Sequence, residues 1–199
     1  MFYEPGAGHG LPHNPFKAIV APRPIGWIST RATDGTSNLA PYSFFNGICD
    51  TPPVVMFSSS GRKDSLEIAE ATGEFVCNFV GEALMKAMSQ TSFAYESGIS
   101  EFAAAGLTEA ECRIVKAPRV AEAPAALECR VTEIRQVMGL EGKTNNWMVC
   151  GEVVGVHIDD AMLTGGLFDL AKAKPVTRLG YLDYGLHPDI VTLARPTRG

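Results

Sequence analysis

The apolar residues of this chain come in short runs separated by proline, glycine and serine, and this pattern limits the folds open to it. Ile25–Thr30, Val54–Phe57 and Phe75–Val80 contain four to six residues each and include β-branched and aromatic side chains, a composition that favours strands over helices. About six such strands do not alternate with helices of ~10–15 residues, as βαβ units require. We therefore predict a mainly β fold, a small antiparallel barrel with peripheral helices.

The first strand pair is the clearest local prediction. Asp34-Gly35 is a hairpin turn signal between Ile25–Thr30 and a returning strand at Asn38–Tyr42. Pro41 has no N–H to donate to a ladder, so the second strand must be an edge strand or must break at this residue.

Further along, we expect the buried strand Val54–Phe57 to end at Ser58 and a helix to follow. Asp64 and Glu67 have capping-box spacing, which predicts Asp64 as the N-cap of a helix over 65–72 that ends at Gly73. Helical turns are predicted at 101–105 and 108–112, in a long excursion (91–124) from the β core. After this excursion, alternating apolar residues predict a strand from Leu127, with a bulge before Ile134.

Composition excludes several classes of protein. The net charge is −5 and no cationic cluster exceeds Arg62-Lys63, so a nucleic-acid or anionic-membrane surface is not predicted. No apolar run approaches the ~20 residues of a membrane span. We expect one domain over 1–199 with residues 1–15 as an N-terminal arm, five buried and reduced cysteines, no metal site and a cytoplasmic location.

One segment has the composition of a phosphate-binding loop. Ser58–Ser65 joins a buried strand to a helix N-terminus and gathers hydroxyl groups, two cations and free backbone amides, which are the groups that grip a phosphate. Ser58, Ser59, Arg62, Lys63 and Ser65 are the candidate ligands. The alternative is an ordinary strand-to-helix loop with solvated basic residues, and this segment alone favours neither interpretation.

A second segment, 37–46, interleaves small polar and aromatic residues around Pro41. Backbone groups freed at the proline can meet the polar edge of a planar heterocycle while a side chain covers its face. The alternative, which composition alone favours, makes Tyr42, Phe44 and Phe45 core residues.

Five blocks, in this order and spacing, resemble the flavin reductase-like family of FMN-binding split β-barrels. They are Arg23–Thr30, Asn38–Asn46, Val55–Ser58, Arg62–Ser65 and Thr72–Asn78, and the likeness covers about 12–184, including Arg178–Tyr181. The Ala-Pro-Tyr-Ser-Phe-Phe-Asn block is its most specific part.

The resemblance implies an antiparallel split barrel of Greek-key type that forms a homodimer with FMN near the interface. The Asn38–Asn46 block would hold the isoalloxazine and ribityl chain, and the Ser58–Ser65 loop the phosphate. Cofactor-binding candidates are therefore Asn38, Ala40, Pro41, Tyr42, Ser43, Phe44, Asn46, Ser58, Ser59, Arg62, Lys63, Ser65 and Arg178.

The function implied is an NADH- or NADPH-dependent flavin reductase, with a monooxygenase as a possible partner. Because the flavin N5 accepts the hydride, no side-chain catalyst is predicted. A non-catalytic FMN carrier or sensor and a pyridoxamine-phosphate-oxidase-like enzyme are the alternatives. His157 could reach a flavin or nicotinamide edge, although a structural histidine is the favoured interpretation, and the spacing of His9, His13 and His187 suggests no metal.

Overall fold

A computed structural model describes residues 1–96, 99–186 and 189–196, so His187 lies outside the described residues. The chain is mainly β, as predicted. The strands are β1 (Arg23–Pro24), β2 (Gly26–Arg31), β3 (Ser37–Tyr42), β4 (Phe45–Asp50), β5 (Pro53–Ser60), β6 (Glu74–Asn78), β7 (Glu109–Ala110), β8 (Arg119–Val120), β9 (Ala125–Gly139), β10 (Gly142–Ile158), β11 (Leu163–Thr164), β12 (Leu167–Phe168), β13 (Val176–Arg178) and β14 (Tyr184–Leu186). The helices are α1 (Phe16–Ile19), α2 (Asp64–Thr72), α3 (Met85–Gln90), α4 (Glu101–Ala104) and α5 (Leu170–Ala173), with 3₁₀ turns at Pro5–Ala7, Glu82–Leu84 and Asp160–Met162.

Seven strands form the main sheet in the order β3-β2-β6-β9-β10-β5-β4, and every neighbouring pair is antiparallel. The predicted β2–β3 hairpin is confirmed, with Gly35 at φ +92° in its turn. The edge position predicted from Pro41 is also confirmed, because β3 is the first strand of the sheet and Pro41 pairs with Trp27. No helix in the described part of the chain is both long and apolar enough to cross a bilayer.

Strand β5 is longer than predicted. Instead of ending at Ser58, it continues to Ser60, because Ser58, Ser59 and Ser60 pair with residues of the long strand β10. Because strand propensity depends strongly on context, the length of the partner strand decides where the pairing of these serines stops. The connection between β5 and α2 is therefore only Gly61–Lys63.

Strands β9 and β10 form the longest ladder. Cys150 pairs with Glu133 and Gly151 with Val131, so Thr132 is the extra residue of a bulge and the predicted slip before Ile134 is confirmed. In the excursion, α4 agrees with the helical turn predicted at 101–105. The helical turn predicted at 108–112 is wrong, since Glu109–Ala110 forms strand β7 with β8.

The barrel core is aromatic and tightly packed. Phe57 and Phe75 are fully buried with ring centroids 5.3 Å apart, and Tyr42 lies 4.8 Å from Phe57. Leu66 of α2 belongs to the same cluster, so burial of its side chain fixes the helix against β2 and β3. This packing sets the position of the N-terminus of α2 relative to β3.

Residues 113–120, which we call the strap, cross the sheet. They are held mainly by hydrogen bonds to side chains of the sheet strands and not by a continuous backbone ladder. The Glu128 carboxylate accepts the N–H groups of Arg113, Ile114 and Val115, at 2.7 to 2.9 Å, and Glu74 accepts those of Lys116 and Ala117. Asn78 Oδ1 accepts the N–H of Val120, and Ser29 Oγ donates to the carbonyl of Pro118. The core strands thus supply acceptors that the strap amides need.

All five cysteines are free, and Cys77, Cys129 and Cys150 are buried. Cys112 is half-buried. The prediction of five buried thiols is wrong for Cys49, which lies in the exposed part of edge strand β4 with its side chain in solvent.

Candidate functional site

A cavity of about 520 Å³ lies where β3, the start of α2 and the residues after α3 meet. Its lining residues are Asn38, Ala40, Pro41, Tyr42, Arg62, Lys63, Asp64, Ser65, Thr91, Ser92, Phe93, Ala94, Tyr95 and Glu101. The structure therefore brings together parts of the two segments that sequence analysis selected, and it adds a third wall that sequence analysis did not identify.

The β3 wall is joined to α2 by a buried hydrogen bond. Asn38 Nδ2 donates to Ser65 Oγ at 2.8 Å and also lies 3.3 Å from Thr30 Oγ1. Burial raises the pKa of Tyr42, while hydrogen bonds with the Ser65 and Ser59 hydroxyl groups oppose that rise. Tyr42 is thus a core residue, as the alternative interpretation of its sequence context predicted, and it also lines the cavity, while ligand contact by Tyr42 stays a prediction.

The N-terminus of α2 is open toward ligands. The helix begins at Asp64, and the N-cap is Lys63 without a side-chain cap, so the prediction of Asp64 as N-cap is wrong. The carbonyl of Lys63 accepts from the N–H groups of Leu66 and Glu67. Within the described chain no acceptor faces the N–H groups of Asp64 and Ser65. These two amides and the positive end of the helix dipole suit an anion.

The two cations of this turn differ in their surroundings. Arg62 pairs with Glu67 and Glu70 and lies over the Trp147 ring, 5.1 Å from its centroid. The bond with Glu70 raises the pKa of Arg62. Lys63 has no charged or hydrogen-bonding side-chain partner among the described residues. Lys63 therefore supplies uncompensated positive charge beside the open helix amides.

The end of the cavity near Leu39 is lined by the acidic side chain of Glu101. Glu101 Oε2 accepts the N–H of Leu39 at 3.2 Å, which ties α4 to β3. Burial raises the pKa of Glu101, and nearby Asp64 adds to the effect, while hydrogen bonds from the backbone N–H groups of Glu101 and Leu39 act against it. A carboxylate at this end can accept hydrogen bonds from hydroxyl groups of a ligand.

Residues 91–95 form the third wall, which sequence analysis missed. The indole N–H of Trp27 donates to Thr91 Oγ1 at 2.9 Å, and the Thr91 hydroxyl donates to the carbonyl of Met88 at 2.8 Å. Phe93 and Tyr95 follow, with ring centroids 5.1 Å apart, and Phe93 is 68% exposed. The Phe-x-Tyr pattern was the available signal, but no periodicity around it indicated a site.

Four other predicted residues lie outside this cavity. Ser43, Phe44, Asn46 and Ser58 line another groove of about 650 Å³, together with Phe16 and residues 19–24. The charged groups of Lys17 and Arg23 lie 5.9 Å from the centroid of the Phe44 ring. Ligand contact by these four residues stays a prediction.

Ser59 and Arg178 line neither space. Ser59 is fully buried and donates to the carbonyl of Gly61. Arg178 donates to the carbonyls of Leu182 and Tyr181 and lies 4.5 Å from the centroid of the Tyr184 ring, so the structure engages it in the C-terminal turn.

The lining of the cavity is suited to binding. It offers amides and a free ammonium group for an anion, hydroxyl and carboxylate groups for polar atoms, and aromatic rings for a planar body. None of the described residues that line it is a histidine or a cysteine. His157 lies elsewhere, 2.6 Å from the buried carboxylate of Glu128.

Comparison with known proteins gives a consistent assignment. A model of the flavin reductase like domain matches residues 20–177. An uncharacterized protein of Aquifex aeolicus is 38% identical over 168 residues, which cover 81% of this chain and 83% of the relative.

Two solved structures are similar over nearly the whole chain. Nitrilotriacetate monooxygenase component B from Bacillus cereus is 27% identical with a TM-score of 0.84, and the match covers 94% of this chain and 100% of the other. A Shewanella frigidimarina protein with a split barrel domain is 25% identical with a TM-score of 0.82, covering 91% and 90%. The split-barrel fold predicted from the sequence is confirmed.

Proposed function

The chain belongs to the flavin reductase like family, and from that premise we propose that it is an FMN-binding oxidoreductase reduced by NADH or NADPH. The observation that carries the proposal is the cavity shared by β3, the start of α2 and residues 91–95. Its volume of about 520 Å³ falls within the ~300–1,000 Å³ typical of small-molecule sites.

The groups at the start of α2 fit the phosphate of FMN. The N–H groups of Asp64 and Ser65 lack acceptors, and the Lys63 ammonium lacks a counter-ion in the described chain. The side-chain amide of Asn38 donates a hydrogen bond to the Ser65 hydroxyl, which limits the rotamers that this hydroxyl can adopt. We assign the phosphate to Lys63 and Ser65, with Arg62 as a more distant cation because Glu67 and Glu70 already compensate it.

The remaining walls fit the ring and the ribityl chain. Ala40, Pro41 and Tyr42 offer an edge-strand surface, and Phe93 and Tyr95 offer aromatic faces in the wall formed by residues 91–95. The Glu101 carboxylate can accept hydrogen bonds from ribityl hydroxyl groups. Bound FMN would supply the N5 atom that accepts a hydride, so the protein binds, orients and shields without needing a side-chain nucleophile.

The first test is spectroscopic. The purified protein should be yellow, or added FMN should raise its melting temperature, because a ligand that binds only the folded state stabilises it. Oxidation of NADH and NADPH is then followed with and without added free flavin. Rapid oxidation supports the reductase. A yellow protein that oxidises neither nicotinamide would be a carrier or sensor, and oxidation of pyridoxamine phosphate would indicate the third alternative.

The second test addresses the phosphate assignment. Lys63→Ala combined with Ser65→Ala should weaken FMN binding by about 10- to 100-fold, the range expected when hydrogen bonds to a charged group are lost. Riboflavin has no phosphate, so its affinity should change little. Lys143→Ala is the control, because it removes the same charge from an exposed position on the β9–β10 hairpin. Equal losses for both flavins would refute the assignment.

We also propose a homodimer and a monooxygenase partner. Several exposed apolar side chains support an interface, among them Ile48 on β4 (52% exposed) and Met138 on the β9–β10 hairpin (63% exposed). The Bacillus cereus neighbour is itself named as a monooxygenase component. Sedimentation equilibrium of the wild type and of Met138→Asp measures the dimer directly. Because all five cysteines are free, we propose a reducing, cytoplasmic location.

A further inference from the structure

A second cavity, of about 460 Å³, lies between the strap and the adjoining ends of β9 and β10, and we call it the strap cavity. Arg113, Arg119, Glu128, His157 and Asp159 provide its ionisable side chains. It shares no lining residue with the proposed flavin cavity. Its chemistry can therefore be considered independently of the proposed function.

The acidic groups of the strap cavity already have hydrogen-bond donors. Glu128 Oε1 contacts the N–H of Arg113 and His157 Nε2, and Oε2 accepts two further strap amides. Four donors fill the lone pairs of a carboxylate. Although Cys112, Glu128 and His157 have potential ligand atoms within 4.8 Å of one another, Glu128 thus has no lone pair left for a cation. Asp159 accepts the N–H of Ala161.

The basic groups of the strap cavity have no such partners. In the described chain, neither the Arg113 nor the Arg119 guanidinium has an ion pair or a hydrogen-bond acceptor, and Nε of Arg119 is buried without one. Arginine remains protonated in proteins, so both charges persist. Arg113 is exposed to solvent, whereas Arg119 is half-buried. The buried Nε of Arg119 is thus a donor without an acceptor, which is rare and calls for a partner such as a bound ion.

His157 adds a third polar group on the same wall. The pKa of Glu128 is lowered to about 2, so this carboxylate is ionised near neutral pH and Nε2 of His157 is the donor in their 2.6 Å contact. Nδ1 of His157 has no partner among the described residues. The strap cavity therefore combines two unpaired guanidinium groups with an imidazole that is held in place by Glu128.

Apolar residues form the rest of the lining. Small side chains make up much of it (Ala121, Ala123, Ala125 and Ala126), and they leave room for the body of a ligand. Ile114, Val156 and Ile158 border the same space. At about 460 Å³ the cavity exceeds the volume of an inorganic anion and suits an anionic group attached to an apolar body.

We propose that the strap cavity binds a small organic anion, a carboxylate or phosphate monoester on an apolar body, through Arg113 and Arg119. Guanidinium groups recognise both kinds of anion through paired, charge-assisted hydrogen bonds. The His157 ring lies beside this pair, and the alanine surface accommodates the apolar body.

The test is an amide NMR titration of the full-length protein with benzoate, with phenyl phosphate and with benzyl alcohol, in the presence of excess FMN. We expect at least one of the two anions to shift amide resonances of the strap and of 155–159, and neutral benzyl alcohol to leave them unchanged. The response to each anion tells whether carboxylate or phosphate is preferred. Shifts confined to the amides of Asp64 and Ser65, or equal binding of benzyl alcohol, would overturn the proposal.

Two variants sharpen the test. Arg113→Ala combined with Arg119→Ala should weaken anion binding by at least about tenfold, whereas Arg135→Ala, which removes an exposed guanidinium elsewhere on β9, should not. Ala121→Trp fills the cavity without changing its charge and should also abolish binding. Thermal denaturation verifies that each variant is folded. Unchanged anion affinity in a folded double variant would refute the site.

Discussion

Replacing Glu128 with glutamine tests the main attachment of the strap. Glu128 is only 1% exposed, and its carboxylate receives three backbone N–H groups and Nε2 of His157. Glutamine keeps the shape but replaces one acceptor oxygen with a donor NH₂ group. Strap amides would then face a donor, and a buried donor without an acceptor is costly.

The magnitude follows from the protonation equilibrium of the carboxyl group. Burial alone would raise the pKa of Glu128, but hydrogen bonds from Arg113, Val115, His157 and Ile114 outweigh it and lower the pKa from 4.5 to about 2. At about 1.4 kcal/mol per pH unit, this difference corresponds to about 3 kcal/mol of stability at neutral pH. A hydrogen bond to a charged group contributes about 1.5–3 kcal/mol, which is of the same order.

The sign of the pH dependence is fixed by the same argument. Because the pKa is lower in the folded state than in the unfolded state, the contribution is fully present above about pH 4.5 and is lost as the pH falls toward about 2. Wild type and Glu128→Gln should therefore differ most near neutral pH and converge in acid. The measurement is urea denaturation of both proteins at one protein concentration over this pH range.

The control is Glu141→Gln, which removes the same charge from an exposed turn. In thermal denaturation, about 3 kcal/mol corresponds to a decrease of about 6–12 °C in melting temperature for a chain of this size. A loss below about 1 kcal/mol, or a difference between wild type and Glu128→Gln that is the same at neutral and acidic pH, would refute the reasoning.

Two further predictions concern packing and thiol reactivity. A Cβ at Gly155 would lie 3.1 Å from Cδ of Glu128, so Gly155→Ala should destabilise the protein by about 1–3 kcal/mol in urea denaturation. The control is Gly139→Ala, because a Cβ at Gly139 would meet its nearest atom at an ordinary 3.5 Å. Equal effects of the two substitutions would contradict the packing argument. Cys49 is exposed, whereas burial raises the pKa of Cys77 to about 12. Ellman's reagent should therefore label one thiol, that of Cys49, rapidly in the native protein. A fast phase that survives Cys49→Ser would assign the reaction to another cysteine.

Elements specified by local sequence were predictable. The β2–β3 hairpin follows from Asp34-Gly35 and the flanking apolar runs, and the end of α2 follows from Gly73, which adopts φ +74°. Both depend on residues a few positions apart, so no tertiary information is needed. The two segments that meet in the proposed flavin cavity were selected because their order and spacing resemble the family pattern.

Features specified by distant contacts were not predictable. Ser58–Ser60 belongs to β5 because β10 extends alongside it, and nothing in the local sequence indicates the length of the partner. Glu128 occupies the polar position of an alternating strand, yet the strap buries it. Residues 91–95 enter the cavity through the bond of Trp27 to Thr91, a pairing 64 positions apart in sequence.

The three walls of the proposed flavin cavity differ in how freely their sequences can diverge. Strand β3 and the start of α2 are constrained by the barrel, since they also supply core residues such as Leu39 and Leu66. Residues 91–95 lie outside every strand and helix and are tied to the framework at Thr91. Substitutions at Phe93 or Tyr95 should therefore change which molecules fit without disturbing the fold, and related chains can differ in substrate while keeping the framework of the proposed flavin site.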